Sequence, residues 1–451
     1  MDILPGTQDV FGQLPRMKGY THLALYFPHS DDCVSRENTA TALRTATSHI
    51  TTALPWIGGT VVNTGMQNGS TGTFAIARCA ATEDILKIQD RSDVCPSYED
   101  IINVQGVGRQ LDVSLLSEQT SLPDSYIDQP APVITLTVSW IRSGLVLDCA
   151  AQHNILDMRG IDQFLRLLAI SLQNQTLDGS QVIEVNLRDR MNLFPLLGVD
   201  EERCDHSELR VPSNPNSTQR PRLVEKSALQ SSRDSEPAFH HFRIKSFNLD
   251  TLKSLAETPS IDDALSAFIW KSLSTVRRRH GQPPEAVTGF TRAIDCRRTL
   301  HVPTEYMGQM AVKTYSKSTL AENEQSSLTT IAALLRKDVQ RIRDRHWLRS
   351  LATLTAEEPD KSTFNFGKEF DPETWINASS WAGVAAYKLH FGLLGKPALV
   401  RRPDAKPVQG ILIFLPRFEN GDMDVLLCLR EFEIQGLREL DDWNRFAEYI
   451  G

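Results

Sequence analysis

The chain has 451 residues, more than a single hydrophobic core usually serves, and its 41% hydrophobic and 23% charged content is that of an ordinary globular protein of two domains. A formal net charge of −8 without a long basic run argues against nucleic acid or an anionic membrane as main partner, leaving room for a local basic patch that receives a phosphorylated cofactor. Seven scattered cysteines, at 33, 79, 95, 149, 204, 296 and 428 with no C-x-x-C, argue against a disulfide scaffold and a zinc site and fit a reducing, cytoplasmic setting with no metal.

In chain order, the opening stretch MDILPGTQDVFGQLP lacks the basic and apolar regions of a signal peptide, and no later apolar run is long enough to span a membrane. Tyr20–Phe27 reads as a strand and Ser35–Leu54 as a helix with Ser35 as N-cap, ended by Pro55-Trp56-Ile57-Gly58-Gly59. Thr60–Asn63 and Thr73–Ala77 read as short strands, and the proline-broken Arg91–Pro132 as surface loops. Val133–Ile141 alternates and is β-branched, Arg142-Ser143-Gly144 is turn chemistry, and Leu145–Gln152 is the returning strand of a hairpin. Beyond Gly160, the residues Ile161, Phe164, Leu167, Leu168 and Ile170 to Leu172 recur at helical spacing. Residues 1–202 thus form a first α/β or α+β domain. Residues 203–236, with PSNPNSTQRPR, are polar and read as an exposed crossover linker.

Residues 237–451 form a second domain. Ala238–Ile244 reads as a strand and Pro259–Val276 as a helix, with Ser260 as N-cap candidate and Asp262 and Asp263 in the first turn. Gly289–Cys296 reads as a strand leading to Arg297, and Ser326–Arg345 as one amphipathic helix. Ile376–Trp381, Ala385–Phe391, Gly410–Phe414 and Val425–Leu429 read as strands, and Glu439–Tyr449 as a closing helix. Both halves run strand, helix, strands, which suits two similar domains with a cleft between them.

Between the hairpin and the helix of the first half lies Gln152-His-Asn-Ile-Leu-Asp157, an H-x-x-x-D pair. The bare motif is weak, since with 11 His in the chain chance alone supplies about half an occurrence. Its setting carries more: an imidazole at the end of a buried strand is held rigidly yet reaches a cleft, although a core histidine fits the same pattern. Cys149, four residues earlier on the same strand, reads as a buried inert thiol rather than a nucleophile.

With these pieces placed, the chain resembles the BAHD family of coenzyme A-dependent acyltransferases, and most of all the fungal trichothecene 3-O-acetyltransferases. His153 and Asp157 fall near one third of the length, as that family's H-x-x-x-D does. Ser379-Ser380-Trp381 is similar to its T/S-S-W stretch, and His390-Phe391-Gly392-Leu393-Leu394-Gly395-Lys396-Pro397 to its D-F-G-W-G-K-P signature. Asp262–Ser272 (DDALSAFIWKS) and Val400-Arg401-Arg402-Pro403 are similar to the trichothecene branch. The departures are His390 in place of Asp and Leu393-Leu394 in place of Trp; they put the usual Asp–Arg bridge of that loop in doubt.

The resemblance implies a mixed α/β (α+β) fold of two chloramphenicol-acetyltransferase-like domains, each a sheet flanked by helices, with a channel between them. It implies a monomer that binds acyl-CoA, most simply acetyl-CoA, as co-substrate and a small-molecule alcohol as acceptor, with no permanently bound cofactor. Transfer from a thioester to a hydroxyl needs a base for the hydroxyl proton, and a donor for the oxyanion that forms. His153 takes the first role. Ser379 matches the family position credited with the second. Asp157 matches a residue that pairs with the arginine of a D-x-R stretch, here Arg297, and shapes the site. Trp381 reads as a core or cleft-wall support. Ser260 heads the helix that lies near the coenzyme A channel in relatives, a place suited to phosphate except that Asp262 and Asp263 oppose it. Two other functions remain open: a condensation-type enzyme taking its acyl group from a carrier protein, weakened by Gln152 where those enzymes have a second His, and a non-catalytic binder on the same fold.

Overall fold

The computed structural model describes residues 2–30, 34–78, 84–107, 112–121, 127, 129–177, 179–210, 235–364, 371–403 and 405–451. The first half builds its sheet from β1 (Tyr20–Pro28), β2 (Leu86–Asp90), β3 (Ile134–Ile141) and β4 (Gly144–Gln152). β3 and β4 form the expected hairpin, closed by Arg142-Ser143 with Ile141 opposite Gly144; Ser143 takes φ 59° to make the turn. β4 runs antiparallel to the whole of β1, from Tyr20 opposite Gln152 to Pro28 opposite Gly144. Two long helices pack on it: α1 (Arg36–Ala53), capped by the Ser35 hydroxyl accepting from the Asn38 N–H at 3.2 Å, and α2 (Met158–Leu172). Leu43 and Ile50 of α1 and Ile161, Phe164 and Leu168 of α2 bury with Leu23, Leu25 and Leu147 in one apolar core.

The second half contributes β5 (Ala238–Ile244), α3 (Ile261–Arg279), β6 (Val287–Asp295), β7 (Ala311–Thr319), α4 (Leu328–Ile342), α5 (Arg345–Glu357), β8 (Trp375–Ser380), β9 (Leu399–Arg401), β10 (Ile411–Phe414), β11 (Met423–Leu429) and β12 (Ala447–Tyr449). Its sheet runs β7-β6-β8-β10-β11-β5-β12; β8 lies parallel to both neighbours and the other pairs are antiparallel. β9 leaves this half and pairs with β1, Arg401 opposite Ala24, so the first sheet reads β9-β1-β4-β3-β2.

Strand alternation sorts the two faces of the larger sheet. Phe290, Ile376, Ala378, Leu412 and Phe414 pack against α3 and α4 in a second core. Asn377 and Ser379 point the other way, as do Ile411 and Ile413, which bury in the core of the first half. This second face is the one turned toward the first half.

Several expectations are corrected. Ala385–Phe391 is not a strand: Ala386–Lys388 makes one 3-10 turn, and Tyr387 and Phe391 are apolar because the loop tucks them into the first core. The stretch Ser326–Arg345 is not one helix. It stops at Ile342, and Asp344 caps α5 by accepting from the His346 and Trp347 N–H groups. The closing helix spans only Asp441–Phe446, after which β12 adds to the sheet edge beside β5. Helices Ser246–Leu255 and Glu431–Arg438 and strand β9 carried no reading at all. Within the expected loops of Arg91–Pro132 lie short helices Tyr98–Asn103 and Val113–Leu116. Of the crossover at 203–236, residues 211–234 lie outside the described residues.

Candidate active site

Asp157 is the N-cap of α2, a role its residue type suits and that places the helix start two residues before Gly160. Its Oδ1 accepts from the Gly160 N–H at 2.9 Å. Arg297 donates to it in a two-pronged contact, Nη1 to Oδ2 at 2.8 Å and Nη2 to Oδ1 at 2.9 Å, and the Met310 N–H adds 3.0 Å to Oδ2. A carboxylate offers about four acceptor positions, and these contacts fill them. Arg297 is just as fully used: beyond Asp157, Nε donates to Tyr306 O at 2.9 Å, Nη2 to Gly308 O at 2.7 Å and Nη1 to Asp295 Oδ1 at 2.9 Å. Burial alone lowers the pKa of this guanidinium; Asp157 and Asp295 reverse that into a net rise, so it stays charged. The pair is a buried clasp between the halves, and Asp157 has no capacity left for His153. Gly160 makes the clasp possible, because a Cβ there would stand 2.1 Å from Met307 O.

His153 follows the last residue of β4, and its N–H donates to Gly19 O at 2.9 Å, so the main chain is pinned where the ring leaves the strand. The ring is enclosed by protein and keeps only partial exposure. Of its two nitrogens, Nδ1 is buried without a hydrogen-bond partner. Burial lowers the pKa from the usual 6.5; the ring's own carbonyl and Asp157 push it up, and Lys313 pushes it down, with a net fall. The imidazole is therefore neutral at neutral pH, the form that accepts a proton.

Ser379 lies on β8, and its Oγ accepts from the Trp381 indole N–H at 3.1 Å. Trp381 is buried, and its backbone N–H donates to Phe414 O at 2.8 Å. With the indole occupying the oxygen, the hydroxyl proton is left to point elsewhere. Two residues back on the same face, Asn377 Oδ1 accepts from Thr291 Oγ1 at 3.1 Å and from the Lys313 ammonium. Lys313 and Asn377 were given no role by the sequence: AVKTYSKST received no element, and Asn377 stood unremarked in the strand Ile376–Trp381.

Ser260 caps α3, its Oγ accepting from the Asp263 N–H at 3.4 Å. Asp263 and Asp262 bind Arg292 at 2.7 and 3.1 Å. That puts the helix start on the sheet face opposite Asn377 and Ser379. Cys149 is wholly buried opposite Leu23, and burial pushes its thiol far up, away from nucleophilic use. His390 is an exposed loop residue whose carbonyl accepts from Gln173 Nε2 at 2.9 Å; the ion pair this signature does make is Lys396–Glu419, at 2.5 Å. A second buried ion pair, Asp9–Arg190 at 3.4 Å, backs the clasp from the first half. Among the described residues no cluster of His, Cys, Asp or Glu has metal-site geometry, and no helix is long and apolar enough to cross a membrane.

The model of the trichothecene 3-O-acetyltransferase-like N-terminal domain matches residues 20–171. The trichothecene 3-O-acetyltransferase TRI101 of Fusarium sporotrichioides is 30% identical over 98% of this chain and 96% of its own. The chain belongs to the BAHD acyltransferases of the trichothecene 3-O-acetyltransferase type. It is an acyltransferase, then, and O-acyltransferase pigD of Monascus ruber is 38% identical over 99% of both chains. Among solved structures, F. graminearum TRI101 complexed with coenzyme A and deoxynivalenol superposes with a TM-score of 0.87 at 30% identity, over 98% of this chain and 99% of that one. Vinorine synthase shares the fold at TM-score 0.69, with 14% identity, 99% of this chain and 97% of its own.

Proposed function

We propose that the protein is an acyl-CoA-dependent O-acyltransferase, with acetyl-CoA as donor, that acylates a hydroxyl of a fungal secondary metabolite such as a terpenoid, alkaloid or polyketide alcohol. The observation that carries this reading is the division of labour in H-x-x-x-D: Asp157 is spent on Arg297, and His153, its pKa lowered by burial, is left available as a proton acceptor. Nε2 takes the proton of the acceptor hydroxyl as its oxygen attacks the thioester carbon. The Ser379 hydroxyl donates to the resulting oxyanion. The C–S bond then breaks, and the imidazolium returns its proton to the coenzyme A thiolate. A base of this kind contributes about 10²–10⁴ in rate. No covalent acyl-enzyme is involved.

Residues 1–202 and 237–451 are taken as two domains joined by 203–236, acting as a cytoplasmic monomer, with donor and acceptor entering the interdomain channel from opposite ends. Ser260 serves as a helix cap, and the acidic residues beside it keep it from phosphate. The test is release of free thiol from acetyl-CoA against a panel of terpenoid, alkaloid and polyketide alcohols. Alcohol-dependent release supports the reading; no release with any alcohol, together with transfer from an acylated carrier protein, overturns the choice of donor.

A further inference from the structure

We propose that Asp9 is a positioning residue for the transfer: through the Gly12 N–H and the Arg190 guanidinium it fixes the turn that carries His153 at the end of β4. The proposal deepens the reading of His153 as base and rests on it.

Three successive residues of that turn are held from outside it. The His153 N–H donates to Gly19 O at 2.9 Å. The Asn154 carbonyl lies so close to Gly12 that a Cβ there would stand 2.0 Å from its oxygen. The Ile155 carbonyl accepts from Arg190 Nη1 at 3.4 Å. Asp9 connects the last two contacts. Its Oδ1 accepts from the Gly12 N–H at 2.6 Å, within the 3-10 turn Phe11–Gln13, and its Oδ2 accepts from Arg190 Nη1 at 3.4 Å. Arg190 is seated in its own right: its backbone N–H donates to Gly6 O at 2.9 Å, and its guanidinium lies 4.3 Å over the Trp56 ring. The Tyr306 ring faces this guanidinium at 5.9 Å and that of Arg297 at 5.8 Å, so the seat adjoins the Asp157 clasp.

Asp9 and Arg190 are both buried, and a buried ion pair is a poor device for stability alone, because well-packed apolar groups serve as well. What apolar side chains cannot do is bond main-chain groups. Here the pair bonds two: the N–H of Gly12, whose Cα abuts Asn154, and the carbonyl of Ile155. Both lie against the two residues that follow His153. The turn is thus gripped on the far side by Asp9 and Arg190, as Asp157 is gripped by Arg297. A base that must meet both a hydroxyl and a thioester carbon tolerates little displacement, since a shift of about 1 Å can cost about 10²-fold in rate.

The experiment separates position from stability. Asp9→Asn alone leaves Arg190 buried without its counter-charge and should lower the melting temperature. The double variant Asp9→Asn, Arg190→Met removes both charges and should melt near wild type, yet the Ile155 carbonyl has lost its donor. Its kcat for thiol release from acetyl-CoA, with the most responsive alcohol of the panel, should fall by about tenfold or more. Its KM for acetyl-CoA should stay within about twofold. In histidine-labelled protein the His153 ring resonance, assigned by its loss in His153→Gln, should shift or broaden. Gly12→Ala leaves both charges in place and pushes on Asn154 directly, so it should lower kcat and move the same resonance. A folded double variant with kcat within about twofold of wild type, or with an unmoved ring resonance, overturns the proposal. Where the double variant does not fold, Gly12→Ala decides by the same two readings. If His153→Ala retained turnover, His153 would not be the base, and the ring resonance would still report whether Asp9 holds the turn.

Discussion

His153 and Asp157 stand four residues apart, and their roles separate because every oxygen position of Asp157 is taken by Arg297, Gly160 and Met310. The imidazole gains no orienting carboxylate, and burial is the main cause that lowers its pKa. His153→Ala should therefore lose about 10²–10⁴ in turnover or more while the melting temperature stays near wild type; a folded mutant with near-normal turnover sinks the base. Activity in the wild type should be level at neutral pH and fall as the pH drops below 6.5, because the ring protonates below its ordinary value. Asp157→Ala should act on stability instead. It strands a fully buried guanidinium, at a cost of about 3–5 kcal/mol, so an unchanged melting temperature would show that the clasp is dispensable. Ser379→Ala should lower kcat by about 10²–10³ if its hydroxyl serves the oxyanion. Trp381→Phe frees the oxygen but keeps the proton donor, so it should cost far less; equal losses from the two would argue against the oxyanion role.

Two elements carry predictions that separate cap from site and folding from chemistry. The Ser260 hydroxyl closes the first turn of α3, and Ser260→Ala should cost about 1 kcal/mol of stability with the KM for acetyl-CoA unchanged; a marked rise in that KM would restore the phosphate role. At the start of the crossover, His206 Nε2 bonds Ser350 Oγ of α5 at 2.9 Å, and Ser350 also accepts from the Cys204 N–H at 2.9 Å. Burial lowers His206 from 6.5 to about 4. The unfolded ring binds a proton at a higher pH than the folded one, so this contribution to stability is whole above 6.5 and is lost as the pH falls toward 4. Melting temperatures between pH 7.5 and 4.5 should drop more steeply for wild type than for His206→Gln, and parallel curves would show that the ring does not sense pH. At this scale the sequence was legible where pattern and partner are local. The β3–β4 hairpin, α1 with its Ser35 cap and α3 with its acidic first turn follow from period and cap chemistry. What was missed depends on distant partners. Three residues, Leu399–Arg401, become a strand only because β1 offers an edge, and Tyr387 and Phe391 mimic a strand because a loop buries them. In the site, H-x-x-x-D and S-S-W were visible as motifs, whereas the seat of Lys313 exists only once β6, β7 and β8 lie side by side.

At the scale of the whole molecule the halves are not free to part. Asp157 in one holds Arg297 in the other, β9 crosses to the first sheet, and Arg401 on it reaches back to Asp424 of β11 at 2.7 Å. A body clasped in this way cannot open and close widely between a first and a second half-reaction, as a covalent relay through one mouth would require of a bulky coenzyme A and a bulky alcohol. On the proposed mechanism both substrates meet the one imidazole together. The thiol placed nearest along the chain, Cys149, is buried with its pKa pushed up, so it offers no thiolate to accept the acyl group. Double-reciprocal plots of thiol release at varied acetyl-CoA and acceptor should therefore intersect, and label should not exchange between acetyl-CoA and coenzyme A when acceptor is absent. Cys149→Ala should keep turnover within about threefold of wild type, since the thiol behaves as a small core group whose loss is felt in packing. Parallel lines, or an acyl group trapped on Cys149 or a serine after mixing with acetyl-CoA alone, would replace the ternary complex with a two-step transfer and return the search to a nucleophile.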